Sequence, residues 1–190
     1  RNIKQGVMQE LLTGRKRLAG FNGEWGIRKL GDLAEMYSGG TPLTTNDSFY
    51  NGDIPWVVIA DMTKSGKYIY KTEKTITETG LQNSSAKLFK KGVILFAMYA
   101  SIGKCTIAQM DTACNQAILG VSTKLIDTEF LYYYLSYNES KFIRMGQTGT
   151  QSNLNKEIVQ ELKIPFPQRN EQIEIAGFLS SIDSEIDGLE

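Results

Sequence analysis

The sequence predicts an α+β fold: a strand-rich globular unit with one long internal helix, bracketed by amphipathic α-helices at its two ends. Three observations carry that expectation. Between Trp25 and Pro167, short apolar runs alternate with Gly, Pro and Asn turn signals, the pattern of strands joined by tight connections. One stretch, Thr128 to Met145, spaces its apolar and aromatic residues at helical period. At both ends, apolar residues recur every three or four positions, which lines them along one helical stripe.

Taken in order, Ile3, Val7, Leu11 and Leu12 share a face of the opening helix, and Thr13-Gly14 stops it. The chain starts at Arg1 rather than Met, so this helix is read as beginning part-way along its length. Strands are expected at Ile54 to Ala60, Gly66 to Tyr70, Gly92 to Met98, Ile102 to Ala108, Ala117 to Val121 and Leu162 to Phe166. Turns separate them at Ser38-Gly39-Gly40-Thr41-Pro42, Asn51-Gly52-Asp53, Ser65-Gly66 and Lys91-Gly92. In the long helix, Phe130, Leu131, Tyr134, Leu135 and Phe142 fall on an inward face, with Tyr133 and Tyr137 beside it. Tyrosines at such spacing fit a core role better than a base-stacking one. A shorter helix is expected around Asn155 to Glu161.

Pro165 and Pro167 end the preceding strand, and Gln168 to Glu171 open a closing helix with acidic charge where the helix dipole favours it. Its Ile173, Ala176, Leu179, Ile182, Ile186 and Leu189 form a narrow apolar seam. At ~1.5 Å per residue, Gln168 to Glu190 spans about 35 Å. The periodicity alone suits two ordinary core helices better. The expected division is 1–14 for the opening helix, 15–167 for the globular unit and 168–190 for the closing helix.

With 190 residues, 41% of them hydrophobic and 22% charged, the chain can bury a full core in one principal domain. It contains neither a run of eighteen apolar residues nor a charged and apolar leader pattern, so neither a membrane span nor a signal peptide is read, and a cytoplasmic location is expected. Cys105 and Cys114 form no CxxC, and the chain has no histidine. The usual zinc arrangements and Ser-His-Asp hydrolysis therefore cannot be built, and both cysteines are expected to be buried free thiols.

Net charge is zero but unevenly spread. Residues 61–91 carry seven lysines against three acids, while 127–190 carry five basic residues against eleven acids. Lys64, Lys67, Lys71, Lys74, Lys87, Lys90 and Lys91 are thus a candidate phosphate-contacting stretch; the same lysines also fit an ordinary solvated loop. Catalytic motifs are missing. Ser101-Ile-Gly-Lys-Cys-Thr106 resembles the end of a phosphate-binding P-loop but has Met98 where Gly is required and Cys105 where Ser or Thr is required. No GxGxxG occurs, and no carboxylates form a recognisable catalytic pair.

Several motifs stand in a fixed order along the chain. Leu12-Thr-Gly-Arg-Lys-Arg-Leu-Ala-Gly-Phe-Asn-Gly-Glu-Trp25 precedes Lys29-Leu-Gly-Asp-Leu33, Ser38-Gly-Gly-Thr-Pro42, Tyr50-Asn-Gly-Asp-Ile-Pro-Trp56 and Asp61. Asn115-Gln-Ala117, Gly149-Thr-Gln-Ser-Asn-Leu-Asn155 and Ile164-Pro-Phe-Pro167 before Glu171-Gln172 follow. Together with the two end helices, they resemble one target recognition domain, the second, of the specificity subunits of type I restriction-modification systems, flanked by pieces of the conserved spacer helices. Ala19-Gly20-Phe21 departs from the Pro-Gly-Phe turn common in that family.

The resemblance implies a non-catalytic DNA reader whose end helices pack as an antiparallel, coiled-coil-like spacer. It would direct methyltransferase subunits and restriction/translocase subunits to a bipartite target in double-stranded DNA. S-adenosylmethionine, ATP and magnesium would be bound by those partners, so this chain would need no cofactor or metal. A homodimer through the helical ends, or a longer subunit containing a second reader, would supply the other half-site. Ile3, Val7, Leu11, Ile173, Ala176, Leu179, Ile182, Ile186 and Leu189 are then the candidate subunit-interface residues. The alternatives are the recognition domain of a single-chain methyltransferase-nuclease and a helix-mediated assembly adaptor without DNA contact.

For a DNA reader, lysines position the backbone while amides and hydroxyls read base edges. Gln147, Thr148, Thr150, Gln151, Ser152, Asn153 and Asn155, with Lys156 beside them, form the richest such cluster. Asn153 or Asn155 could instead cap the next helix. Tyr99, Ser101 and Lys104 make a second candidate loop. Thr63 to Lys74, with Tyr68 and Tyr70 among Lys64, Lys67, Lys71 and Lys74, makes a third, which an ordinary hairpin would also explain.

Overall fold

The computed structural model describes residues 2–148 and 153–188. In chain order its elements are α1 (Asn2–Leu12), β1 (Gly26–Lys29), α2 (Leu30–Leu33), β2 (Ala34–Ser38), β3 (Tyr50–Val57), α3 (Ile59–Lys64), β4 (Tyr68–Ile69), β5 (Thr75–Ile76) and α4 (Glu78–Gln82). There follow β6 (Ile94–Ala97), β7 (Cys105–Ala108), β8 (Ala113–Cys114), β9 (Ile118–Thr123), α5 (Thr128–Tyr137), α6 (Glu139–Thr148), α7 (Lys156–Gln160), β10 (Lys163–Phe166) and α8 (Arg169–Asp187).

The centre follows from Val93 to Met98, which is apolar at every position and buried throughout. A strand with two apolar faces must lie between two layers. Here β6 sits inside a five-stranded sheet ordered β2-β9-β6-β7-β4. Its Ile94 and Phe96 join Leu119, Val121 and Ile107 in one core cluster, while Leu95 and Ala97 join Ile118 and Ala108 in another. Period-two alternation thus divides one apolar run between both layers. Gly120 shows how tightly the second layer packs: a Cβ there would sit 2.3 Å from Phe89 Cε1.

A three-stranded sheet, β5-β3-β8, holds a smaller cluster around Trp56, Ile76, Ala86 and Ala113. Asn51-Gly52-Asp53, expected as a turn, lies inside β3. Tyr50 and Ile54 both pair with Ile76, and Asn51 has φ +60°, so the turn signal is spent on a bulge. β3 ends at Val57, and Ile59–Ala60, expected as strand, begin α3 instead, where the Asp61 carboxylate accepts from Val58 N at 2.9 Å.

The long helix expected from Thr128 to Met145 is two helices. Asn138 (φ −91°, ψ 7°) ends α5, and its Nδ2 donates to Tyr134 O at 2.8 Å. Its carbonyl then accepts from Lys141 and Phe142 to start α6. α7 arises as expected, with Asn155 Oδ1 capping it through Ile158 N at 2.8 Å.

The end helices run antiparallel: Lys4 pairs with Asp183 and Arg17 with Glu171. They do not form a pair that merely projects from the globular unit. Met8, Leu11 and Leu12 of α1 and Ile175, Ala176 and Leu179 of α8 enter the same cluster as Phe130, Leu131 and Leu135 of α5. Gly14, at φ +70°, stops α1, and a Cβ there would meet the Trp25 ring at 3.2 Å.

The expected seam on α8 is out of phase at its start. Ile173 is 48% exposed, because Glu171 and Gln172 occupy the inward positions at 1% and 0% exposure. Arg17 grips both Glu171 oxygens, at 2.5 and 2.7 Å, and Trp25 Nε1 donates to the same carboxylate at 3.0 Å. Gln172 Oε1 accepts from Asp127 N at 2.7 Å, and its Nε2 donates to Pro167 O at 2.8 Å. These polar locks set the rotation of α8 and turn Ile175 inward instead of Ile173. Of the expected subunit-interface residues, Leu11, Ala176 and Leu179 are therefore buried within the chain itself and cannot face a partner. Val7, Ile182 and Ile186 are half-buried, Ile3 is 82% exposed, and Leu189 lies outside the described residues.

Both cysteines are buried free thiols, as expected, and burial pushes each up to about 12. No helix among the described residues is long and apolar enough to cross a membrane.

Candidate nucleic-acid interface

One rim of the molecule is built from loops bonded to one another through their backbones. Gly39 N donates to Ile118 O at 3.0 Å and Gly40 N to Cys114 O at 2.9 Å. Trp56 Nε1 returns to Gly40 O at 3.0 Å. A Cβ on Gly39 would lie 2.2 Å from Cys114 O, and one on Gly40 2.3 Å from Ala86 N. The Gly-Gly pair is thus required by close approach of three chain segments. From there the rim continues: Met98 N donates to Ala117 O at 2.9 Å, and Leu154 N to Met98 O at 3.0 Å.

This chain of contacts brings segments 38–42, 84–87, 98–101, 115–117 and 153–156 together. Its polar groups include Thr41, whose hydroxyl donates to the Gln116 side chain, and Asn115, whose Oδ1 accepts from Ala117 N at 3.1 Å. At one end stands Tyr37, 45% exposed on β2. Lys87 Nζ lies 5.6 Å and Lys156 Nζ 5.3 Å from the centroid of its ring. No carboxylate among the described residues forms a salt bridge with either lysine.

The expected site residues divide. Lys87, Tyr99, Ser101, Asn153 and Lys156 belong to the rim; Ser101 is exposed at φ +62°, and Tyr99 is 39% exposed. Gln147 is exposed on α6 and Thr148 closes that helix, while Thr150, Gln151 and Ser152 lie outside the described residues. Asn155 is the α7 cap, the role left open by its sequence.

In the Thr63 to Lys74 stretch, Lys67 and Tyr68 are committed inward rather than presented to DNA, while Lys64, Lys71 and Lys74 stay exposed. Lys64 pairs with Glu73. Lys67, its side chain only 11% exposed, donates to Glu129 Oε2 at 2.7 Å, Tyr133 Oη at 3.1 Å and Ser180 Oγ at 3.3 Å. Its ammonium stands 4.5 Å from the Tyr133 ring centroid. Tyr68 Oη donates to Glu129 Oε1 at 2.5 Å. Burial works against ionised Glu129, but the bonds from Lys67 and Tyr68 outweigh it and hold the carboxyl below its ordinary range. Burial first, then Glu129, pushes the Tyr68 phenol up. Lys71 and Lys74 remain exposed. Lys104 lines a cavity of about 690 Å³ with Lys4, Lys67, Tyr68, Tyr132 and Asp183, between the end helices and β4.

Tyr37, Thr41 and Gln116 carried no assigned role in the sequence. The alternation Ala34-Glu35-Met36-Tyr37-Ser38, buried at Ala34 and Met36, is the signal that could have marked Tyr37 as a solvent-facing strand residue. Among the described residues, no group of three or more His, Cys, Asp or Glu could hold a metal ion.

The profile of the family described as "Type I restriction modification DNA specificity domain" matches residues 22–190. The MjaIX type I restriction enzyme specificity subunit of Methanocaldococcus jannaschii is 32% identical over 169 residues, covering 86% of this chain and 39% of that protein. The EcoR124I/EcoR124II specificity subunit of Escherichia coli is 27% identical over 186 residues, covering 90% of this chain and 44% of that protein. The chain thus spans less than half the length of these relatives. In fold, it matches the HsdS subunit from Thermoanaerobacter tengcongensis with a TM-score of 0.73 at 21% identity, over 99% of this chain and 44% of that one. The type I restriction-modification S subunit from M. genitalium matches with a TM-score of 0.60, also at 21% identity, over 90% of this chain and 42% of that one. With the family profile covering all but the opening helix and its linker, the chain belongs to the type I restriction modification DNA specificity domain family.

Proposed function

We infer that this chain is a sequence-specific reader of double-stranded DNA that does no covalent chemistry and directs partner methyltransferase and restriction/translocase subunits to a bipartite target. The rim carries the reading. Ammonium groups that no carboxylate among the described residues pairs with, together with exposed amides and hydroxyls, converge there from separate segments, supplying backbone contacts and base-edge contacts on one surface.

In this account the 15–167 unit reads DNA, while the α1 and α8 segments, 1–14 and 168–190, act as a coiled-coil-like spacer. Exposed Ile3 and Ile173 remain available there for subunit contact. S-adenosylmethionine, ATP and magnesium belong to the partner subunits, and the complex works in the cytoplasm.

A reader contacting a few phosphates binds DNA nonspecifically at about 10⁻⁴ to 10⁻⁶ M. A second reader held at fixed distance, on the same polypeptide or on a second copy packed through the helical ends, raises avidity by about 10² to 10⁴. Methylated sites mapped in cells with and without the gene test the reading. One bipartite motif disappears when the gene is removed; an unchanged methylation pattern overturns the proposal.

A further inference from the structure

We propose that Tyr37, Lys87 and Lys156 form a clamp for the DNA sugar-phosphate backbone, in which each ammonium takes one phosphate and the tyrosine ring holds the two charges at fixed separation. The proposal rests on the DNA-reading function above and names the element that sets its register.

Three segments distant in sequence deliver these groups: β2, the loop before β6, and the first residue of α7. Both ammoniums lie against one exposed ring, at 5.6 and 5.3 Å from its centroid. The ring's negative face draws each cation in, but the two cations repel each other. Lys64, Lys90 and Lys124, elsewhere in the chain, each pair with a carboxylate, whereas among the described residues no such pair forms at Lys87 or Lys156. Like charges gathered without a counter-charge are favoured when an anion with more than one site binds between them. Next to them, Thr41, Asn115, Gln116 and Asn153 bear the amides and hydroxyls that a base edge would meet. A polyanionic backbone fits this arrangement better than a small anion, because the reading groups lie beside the charges rather than around them.

The test uses the chain assembled with its methyltransferase partners and a duplex carrying the methylated motif. Dissociation constants are measured from 50 to 200 mM salt for the wild type, Lys87→Gln, Lys156→Gln and the double variant. The magnitude of the slope of log affinity against log salt falls by about 0.9 for each lysine and by about 1.8 for both. Across this fourfold salt range, the double variant then loses about twelvefold less affinity than the wild type. Tyr37→Ala keeps the slope but weakens binding severalfold, because both charges remain while their spacing is lost; Tyr37→Phe binds as the wild type does. Lys90→Gln, which removes a lysine paired with Asp111, leaves the slope unchanged.

An unchanged slope in the double variant overturns the clamp while leaving the reading function intact. A wild-type complex that retains no duplex at any salt overturns the function itself. Inorganic phosphate at matched ionic strength leaves wild-type binding unaffected if the clamp takes a duplex backbone. Competition by phosphate that vanishes in the double variant would assign the site to a free anion and overturn the proposal.

Discussion

Replacing Gln172 by Leu removes the lock that sets the rotation of α8 while nearly conserving volume. Gln172 is fully buried, and both ends of its amide are engaged: Asp127 N donates to it at 2.7 Å, and it donates to Pro167 O at 2.8 Å. Leucine leaves the part-buried Asp127 N–H and the buried Pro167 carbonyl without this partner. An unsatisfied buried donor or acceptor costs about 1–3 kcal/mol, and a carbonyl with two lone pairs suffers less than an orphaned N–H. The expected loss is therefore about 3 kcal/mol. For a chain of this length each kcal/mol moves Tm by about 2–4 °C, so the variant melts roughly 6–12 °C lower. Thermal denaturation followed by circular dichroism measures this, and hydrogen exchange at the Asp127 amide localises it, since that proton loses its acceptor at the start of α5. A variant melting within about 1 °C of the wild type, with Asp127 still protected, would refute the argument that Gln172 sets the phase of α8.

Gly120→Ala puts a methyl group against the Phe89 ring and destabilises by about 1–3 kcal/mol; Phe89→Leu in the same chain restores much of the melting temperature, which a simple propensity effect would not allow. Glu129, held below its ordinary value of 4.5 once the Lys67 and Tyr68 bonds outweigh burial, contributes stability that is present above that value and lost as pH falls through the lower folded one. Glu129→Gln therefore flattens the acid limb of a stability-versus-pH curve below about pH 4.5, and an identical limb would contradict the network. Cys105 and Cys114, buried with thiols pushed up to about 12, resist thiol reagents at pH 8 until the chain is unfolded, as mass spectrometry of alkylated protein would show.

The parts of the fold legible in the sequence were those where burial leaves an unbroken apolar signature. Val93 to Met98 and Ile118 to Val121 announce central strands because both faces are covered. β1 gave no such sign, since all four of its residues are exposed and it exists only by pairing with β10. β5 and β8, two residues each, are shorter than any periodicity. The break at Asn138 carries no Gly or Pro, so the helical pattern ran through it. The phase of α8 was hidden because polar Glu171 and Gln172, rather than an isoleucine, hold its inward positions through partners 45 to 154 residues away.

The candidate site was half legible for the same reason. Lysine density marked Lys64 to Lys74, yet the position of Lys67 depends on Glu129, which lies 62 residues away. Lys87 and Lys156 were visible as charges, but Tyr37, which joins them, was not. Gly39-Gly40 was visible as a turn and a family landmark, and Asn115-Gln116 only as a landmark. Backbone contacts from Gly39 and Gly40 to Ile118 and Cys114 join the two motifs in one structural unit.

The most direct test of the rim as the reading surface is sequencing of methylated DNA from cells whose copy of this gene carries Thr41, Asn115, Gln116 and Asn153 exchanged for the residues of a relative with a different target. The account predicts that one half of the methylated motif changes or is lost, while the complex still assembles and the spacing between half-sites is kept. The same motif methylated to the same extent would contradict it.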